Sequence, residues 1–389
     1  MYYAPMRWVL LVAIAACTPR AEPALGADAS TTAAPVAKNA AIGEAGKAEA
    51  APPPRVHPSA LPNLEVQEVE ATGLQPKGAL LSHDGKTLFV TNFLELHGKK
   101  VVTMYDPETL EPKGEMNLPA VVVESVISPD DKTLYLSSFW GHSVLFVDVA
   151  SRSIVREVKV GAHPKILALT PDGKTLFAAN WSSDNVTEID VPTGTVTRTL
   201  KTGRSPRGMA VTSQGTLYVA DFYGEAIEVY AGADRSDNHK IPICKCPRHL
   251  ALSPDEKTLY ISCLNASRID ALDLATETVV HKAKVGDSPK SIAVSADGRY
   301  VWSADYGLTR SVSVVDTNDW SAKYFMVPGM DRGSGIAVAP DGEHAYVTGW
   351  YDAHVYRIGF EGTGGRPAEA KAKISKWIHR PFSKDPGDH

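Results

Sequence analysis

Between residues 169 and 181 apolar and polar positions alternate, break at a turn, and alternate again: Leu169-Thr170-Pro171-Asp172-Gly173-Lys174-Thr175-Leu176-Phe177-Ala178-Ala179-Asn180-Trp181. A period of two is the strand pattern and Pro-Asp-Gly is turn chemistry, so the stretch predicts strand, tight turn, strand. The pattern returns from Leu81, Ile127, Val211, Leu252, Val294 and Val338; the turn residues Asp84, Asp130, Asp172, Gln214, Asp255, Asp297 and Asp341 are 46, 42, 42, 41, 42 and 44 positions apart. In the third copy two more alternating runs follow, at 185–191 and, beyond Pro-Thr-Gly, at 195–201. Four short strands repeating every ~40–45 residues are the signature of a β-propeller. The expected fold is therefore all-β: a seven-bladed propeller of four-stranded antiparallel blades. Asp106, Asp148, Asp190, Asp273 and Asp316 end third strands, where an Asp side chain bonds the turn backbone. The last copy reaches only three strands, while residues 64–70 alternate ahead of the first copy without a partner. That N-terminal strand is expected to complete the last blade, close the ring and remove an open sheet edge.

Outside the repeats the pattern changes. Residues 1–17 carry Arg7 and then a nine-residue apolar run, 8–16, too short to span a bilayer as a helix, which reads as an export signal. It ends Ile14-Ala15-Ala16-Cys17 and resembles a bacterial lipoprotein signal. The resemblance implies lipidation at Cys17 and, with Thr18 following, the outer membrane, on its periplasmic or cell-surface side; two or more acyl chains anchor stably. Residues 18–62 are rich in Ala, Pro and Glu with almost no aromatics, and are expected to be a disordered tether reaching roughly 35–40 Å. The propeller is expected over 63–360. The tail, 361–389, is basic at Lys371, Lys373, Lys376 and Arg380 and carries Ile374, Trp377 and Ile378; a short helix on the propeller or a contact with an acidic partner or membrane surface both suit it.

Composition adds limits. Of the 389 residues 43 % are hydrophobic and 22 % charged, ordinary for a globular chain, and the formal charge is −5. No global charge draws nucleic acid, so any anion site must be local. Four cysteines are too few for a disulfide scaffold. Cys244, Cys246 and Cys263 share the fifth repeat, and an exported protein favours a bridge among them. Cys246 precedes an inner strand and Cys263 ends its neighbour, so Cys246–Cys263 is the expected pair, with Cys244–Cys263 second. Zinc held by the three cysteines and His249 would need an unusual Cys-x-Cys spacing.

In a propeller, loops entering inner strands and loops leaving second strands open on one face around the central channel. Two sets of residues should meet there. Pro76-Lys77, Pro164-Lys165, Pro206-Arg207, Pro247-Arg248 and Pro289-Lys290 place a cation at five of seven entries; Arg332 sits two positions early and the second repeat has Glu124 nearby. These cations are either solvated separately or form a funnel that concentrates anions. The second set, Phe93, Phe139, Trp181, Phe222, Tyr306 and Trp350, follows the second strands, with Leu264 as the break. Such rings either pack between blades or offer a flat face for stacking. Just ahead of them stand Asn92, Ser138, Asn180, Asp221, Cys263 and Asp305, expected to cap their own turns; Ca²⁺ is the other use of such oxygens converging on a channel, and resemblance to lactonase-like propellers that hold a metal implies Glu124 joining Asn180, Asp221 and Asp305. His97, His142 and His354 fall on the same face. Catalytic-triad order, phosphate loop, dinucleotide fingerprint and haem motif are all missing. No metal and no cofactor are expected.

The second strands read Phe89-Val90-Thr91-Asn92, Tyr218-Val219-Ala220-Asp221 and Tyr346-Val347-Thr348-Gly349. With the Pro-Asp-Gly turns and Pro-Lys/Arg steps, they resemble the YVTN-type β-propeller repeat family over about 64–360; Ser138, Cys263 and Gly349 depart from its Asn. The family also resembles lactonase-like propellers. The expected function is non-catalytic: an envelope-anchored, monomeric propeller that captures an anionic ligand, a glycan or a protein at the cationic and aromatic funnel, with no role for nucleic acid. The alternative is a lactonase-like hydrolase or isomerase at the same channel mouth, with Glu124, Asp221 or a histidine as base. Fold analogy cannot choose between these.

Overall fold

A computed structural model describes residues 61–94 and 101–363. Expectations for Cys17, the tether, His97 and the basic tail concern residues outside those described.

Among the described residues twenty-eight strands form seven four-stranded antiparallel sheets. The first strands of the sheets are β2 (Pro76–Leu81), β6 (Val122–Ile127), β10 (Pro164–Leu169), β14 (Pro206–Val211), β18 (Pro247–Leu252), β22 (Pro289–Val294) and β26 (Gly333–Val338). Each packs against the first strand of the next sheet, and β26 packs against β22 and β2, so the order returns to its start. The molecule is a seven-bladed propeller. The seventh sheet holds β26, β27 (His344–Gly349), β28 (His354–Phe360) and β1 (Leu64–Ala71), with Leu64 opposite Phe360 and Ala71 opposite His354.

Burial follows the place of each strand. Second strands such as Leu88–Asn92 and Tyr300–Asp305 are buried throughout, whereas outer strands such as Ser153–Lys159 are mostly exposed. Seven apolar clusters result, one between each pair of neighbouring blades; Leu134, Met116 and Phe89 fill one, Trp302, Tyr356 and Phe360 another. The aspartates act locally. Ser82 Oγ donates to Asp84 Oδ1 at 2.7 Å, which also accepts from Lys86 N at 3.0 Å. Asp148, Asp190 and Asp273 accept backbone N–H groups three residues on, at 2.7, 2.9 and 2.8 Å.

The fifth blade corrects the expected disulfide. The bridge joins Cys244 to Cys263, with Cα atoms 5.8 Å apart, and not Cys246 to Cys263. The reason lies in the entry loop. The residue before six of the seven inner strands is left-handed: Gln75, His163, Ser205, Cys246, Ser288 and Arg332 have φ of 50, 55, 60, 54, 56 and 63°. That turn makes Pro247, not Cys246, the partner of Cys263 across the sheet. Cys244 instead occupies the place held by Gly73, Gly161, Gly203 and Gly286 in other blades. Those glycines lie against Asn92, Asn180, Asp221 and Asp305, the counterparts of Cys263. A covalent bond replaces a close packing contact.

Candidate functional site

Every inner strand carries a register shift at one place: after Pro76, Val122, Pro164, Pro206, Pro247, Pro289 and Gly333. An extra residue there bends the strand and re-aims the following side chain. Hydroxyls of second strands take up the freed N–H groups: Thr91 Oγ1 accepts from Gly78 N at 2.9 Å, Ser137 Oγ from Glu124 N at 3.0 Å and Ser262 Oγ from His249 N at 2.9 Å. This local geometry gathers the Pro-Lys and Pro-Arg cations. Lys77, Lys165, Arg207, Arg248 and Lys290 all line one cavity of about 20 Å³, with Val123, Glu124, Ile166, His249 and Ser291. Such a volume holds about one or two waters, so it admits one small group at a time.

Five cations face one carboxylate there. Among the described residues none of the five lies in an ion pair with an acidic side chain. Arg207 is 5 % exposed and its Nε has no hydrogen-bond partner. The Lys290 ammonium donates to Ser334 Oγ, which donates to Lys77 O at 3.1 Å.

The aromatic set meets the cations. Lys165 Nζ is 3.4 Å from the Trp181 ring centroid, and the Arg207 guanidinium lies 4.6 Å from Phe222 and 5.2 Å from Trp181. Lys290 Nζ lies 4.4 Å from Tyr306 and 4.8 Å from Trp350, and Lys77 Nζ lies 5.2 Å from Trp350. Phe93 touches both Phe139 and Trp350, with centroids 5.7 and 5.8 Å apart. Phe139, Phe222 and Trp350 are buried, so much of their ring surface is spent on these contacts. Each contact is worth about 0.5–2 kcal/mol and keeps a crowded cation bearable. Rings exposed at the rim are others: Trp140 and Tyr351, beside Leu74, Leu94 and Leu308. Leu94, Trp140 and Tyr351 each directly follow a member of the aromatic set, but the same place holds Ser182, Asn265 and Gly307 in other blades, so no ring stands out there in the sequence.

Crowding shifts the titrations. Burial, then Arg248, brings the Lys77 amine down to about 7, with Glu124 opposing. Burial holds Lys165 and Lys290 well below the usual lysine range, with neighbouring cations adding to it. Arg248 falls to about 10 through burial, and His249 to about 4 through burial and the charges of Arg248 and Lys77. The Glu124 carboxyl is raised because burial outweighs the pull of Lys77, Lys290 and Arg248.

The oxygen-bearing set stays within its own blades. Asn180 donates to Thr187 Oγ1 at 2.8 Å and to Asn185 Oδ1 at 2.7 Å. Asp305 accepts from Ser303, Ser311 and Ser313 at 2.8, 2.7 and 2.6 Å. Asp221 pairs with Lys240 at 3.3 Å, and Lys240 also bridges to Glu228 at 2.7 Å. Asp221 is therefore engaged away from the cavity, which leaves Glu124 and His249 as its titrating neighbours of the cations. Cys244, Cys263 and Asp270 are grouped closely enough to hold a metal, but the two cysteines are bonded to each other. His142 accepts from His163 N at 3.1 Å at the rim, and His354 sits 3.5 Å from Asp352.

A closed ring of seven four-stranded sheets defines the class: a seven-bladed β-propeller. A family model described as YNCE-like β-propeller matches residues 144–348, just over half of the chain, and the protein belongs to that family. A stretch of 104 residues is 32 % identical to Antigen Lp49 of Leptospira interrogans; the match spans 23 % of each chain, well short of that relative's length. Among solved structures, hydrazine synthase of Kuenenia stuttgartiensis is similar with a TM-score of 0.64 at 20 % identity, covering 79 % of this chain and 98 % of that one. Virginiamycin B lyase of Staphylococcus aureus has a TM-score of 0.64 at 15 % identity, covering 76 % and 99 %. A streptogramin B lyase gives 0.64 at 14 %, covering 77 % and 98 %. These structural likenesses show the fold.

Proposed function

We propose that this propeller is a non-catalytic binding protein that takes an anionic group, free or carried by a glycan or protein partner, into its axial cavity. One observation carries the reading: Arg207, 5 % exposed and with an unpartnered Nε, stands in a cavity shared by four more cations and a single carboxylate. Confining like charges costs several kcal/mol unless the lysines give up protons, which their lowered titrations allow, or something negative enters and keeps them charged. The exposed rim of Leu74, Leu94, Trp140, Leu308 and Tyr351 favours a partner that covers the mouth. The envelope location expected from residues 1–17 fits a receptor role. The test is calorimetric titration with small anions at rising salt, on wild type and on Lys165→Glu, Arg207→Glu and Arg248→Glu. Binding should weaken with salt and vanish in the variants; full affinity in all three places the site elsewhere.

A further inference from the structure

The cation positions of the ring are not all filled alike. At the second blade the cation position holds Val123, and the next residue is Glu124, which lines the same cavity as the five cations. Its neighbours fix it there. The backbone N–H of Glu124 is bound by Ser137 Oγ at 3.0 Å, and its Oε2 presses on Gly78 of the first blade, 2.7 Å from where a Cβ would stand. A side chain at 78 would push the carboxylate away. Glu124 also lies within the electrostatic reach of Lys77, Lys290 and Arg248 yet forms no ion pair among the described residues. The gap between carboxylate and cations is the cavity itself.

We propose that Glu124 makes this site selective for oxyanions that still carry a proton, of which hydrogenphosphate is the model, over fully ionised oxyanions of the same size, of which sulfate is the model. The inference rests on the anion-binding reading above and deepens it. A carboxylate is acceptor-only, so an incoming oxygen must bring a hydrogen to meet it. Hydrogenphosphate donates one O–H to Glu124 and turns its remaining oxygens to the lysines and arginines. Sulfate at neutral pH has no proton to give, and two facing acceptors leave both unsatisfied in a buried place. The cations supply attraction for either anion; the carboxylate supplies the difference. A discriminating group of this kind works by penalising the wrong ligand as much as by rewarding the right one.

The experiment titrates the protein with inorganic phosphate, sodium sulfate and glycerol phosphate at neutral pH and fixed ionic strength. Wild type should bind phosphate about tenfold or more tightly than sulfate. Glu124→Gln, whose amide can donate to sulfate, should bring the ratio close to one, chiefly by a gain in sulfate affinity. Glu124→Asp keeps an acceptor and should keep a preference. Equal binding of phosphate and sulfate by wild type overturns the proposal without needing any variant, and leaves the anion site standing. A phosphate preference that survives intact in Glu124→Gln also overturns it. If neither anion binds and Arg207→Gln behaves as wild type, the anion site itself is refuted. Glycerol phosphate separates sources: its ester phosphoryl group loses its second proton at about pH 6 and so has little P–O–H to offer at neutral pH, which places it with sulfate and supports the free ion, whereas binding equal to inorganic phosphate overturns the proposal.

Discussion

Replacing Lys77 by Met should make the protein more stable at pH 6 while weakening its hold on anions. The unfolded chain keeps this lysine charged up to about pH 10.5, but burial beside Arg248 brings the folded value to about 7. Between those values the unfolded chain binds more protons, so stability climbs as pH rises from 7 towards 10.5 and is lowest below 7. At 1.36 kcal/mol per pH unit the full penalty of the charge is about 5 kcal/mol, and partial exposure along the channel reduces it, so about 2–5 kcal/mol is expected at pH 6. Methionine fills a similar volume and exchanges the ammonium–ring contact with Trp350 for a sulfur–ring one, so packing should change little. Urea unfolding of wild type and Lys77→Met at pH 6 and pH 10 reads the effect directly. The stability gain should be large at pH 6 and under about 1 kcal/mol at pH 10, and phosphate should narrow it at pH 6 by stabilising wild type only. A variant no more stable than wild type at pH 6 would show that burial and the neighbouring cations together do not penalise the Lys77 charge in the fold, and the case for an anion would lose its physical basis.

Asp305 has a carboxyl raised to about 7 by burial, so its stabilising effect is complete below pH 3.8 and is lost as pH rises through 7. Asp305→Asn should gain about 2–4 kcal/mol at pH 8 and flatten the slope between pH 4 and 7; with Lys77, it predicts a melting-temperature minimum near pH 7 in wild type. Gly203→Ala would set a Cβ 1.7 Å from Asp221 Oδ2 and should cost about 1–3 kcal/mol in thermal melts, whatever its effect on binding. The double change Cys244→Gly with Cys263→Asn restores the pair used in the first and third blades; losing a bridge between residues 19 apart should cost about 3 kcal/mol without altering the fold by circular dichroism.

The ring was legible because seven copies place equivalent residues at equivalent sites, so a cation after each entry proline had to approach a common axis. Lys77, Lys165, Arg207, Arg248 and Lys290 share one cavity for that reason. What resisted reading was direction within a loop. The left-handed turn at Cys246 is carried by a residue that is not glycine, and nothing in its side chain announces it. Aligning Cys244 with Gly73, Gly161, Gly203 and Gly286, and Cys263 with Asn92, Asn180, Asp221 and Asp305, is the signal that points to the observed bridge. The rings of Trp181, Phe222 and Tyr306 were foreseen at the mouth, but their stacking on the cations depends on side-chain reach that spacing does not encode.

Pairing of β1 with β28 sets a timetable for folding. Most blades join strands that are near neighbours in the chain, whereas Gln67 and Thr363, hydrogen-bonded at 3.2 Å, are 296 residues apart. Bringing such distant points together costs about 5 kcal/mol of chain entropy, against roughly 1 kcal/mol for a short hairpin. Six sheets can assemble as the polypeptide emerges, and the seventh must wait for synthesis to reach the last repeat. Until then the strand Leu64–Ala71 waits without its partner, with Leu64 and Val69 uncovered, so a ribosome stalled before residue 354 would release a chain prone to join its own kind.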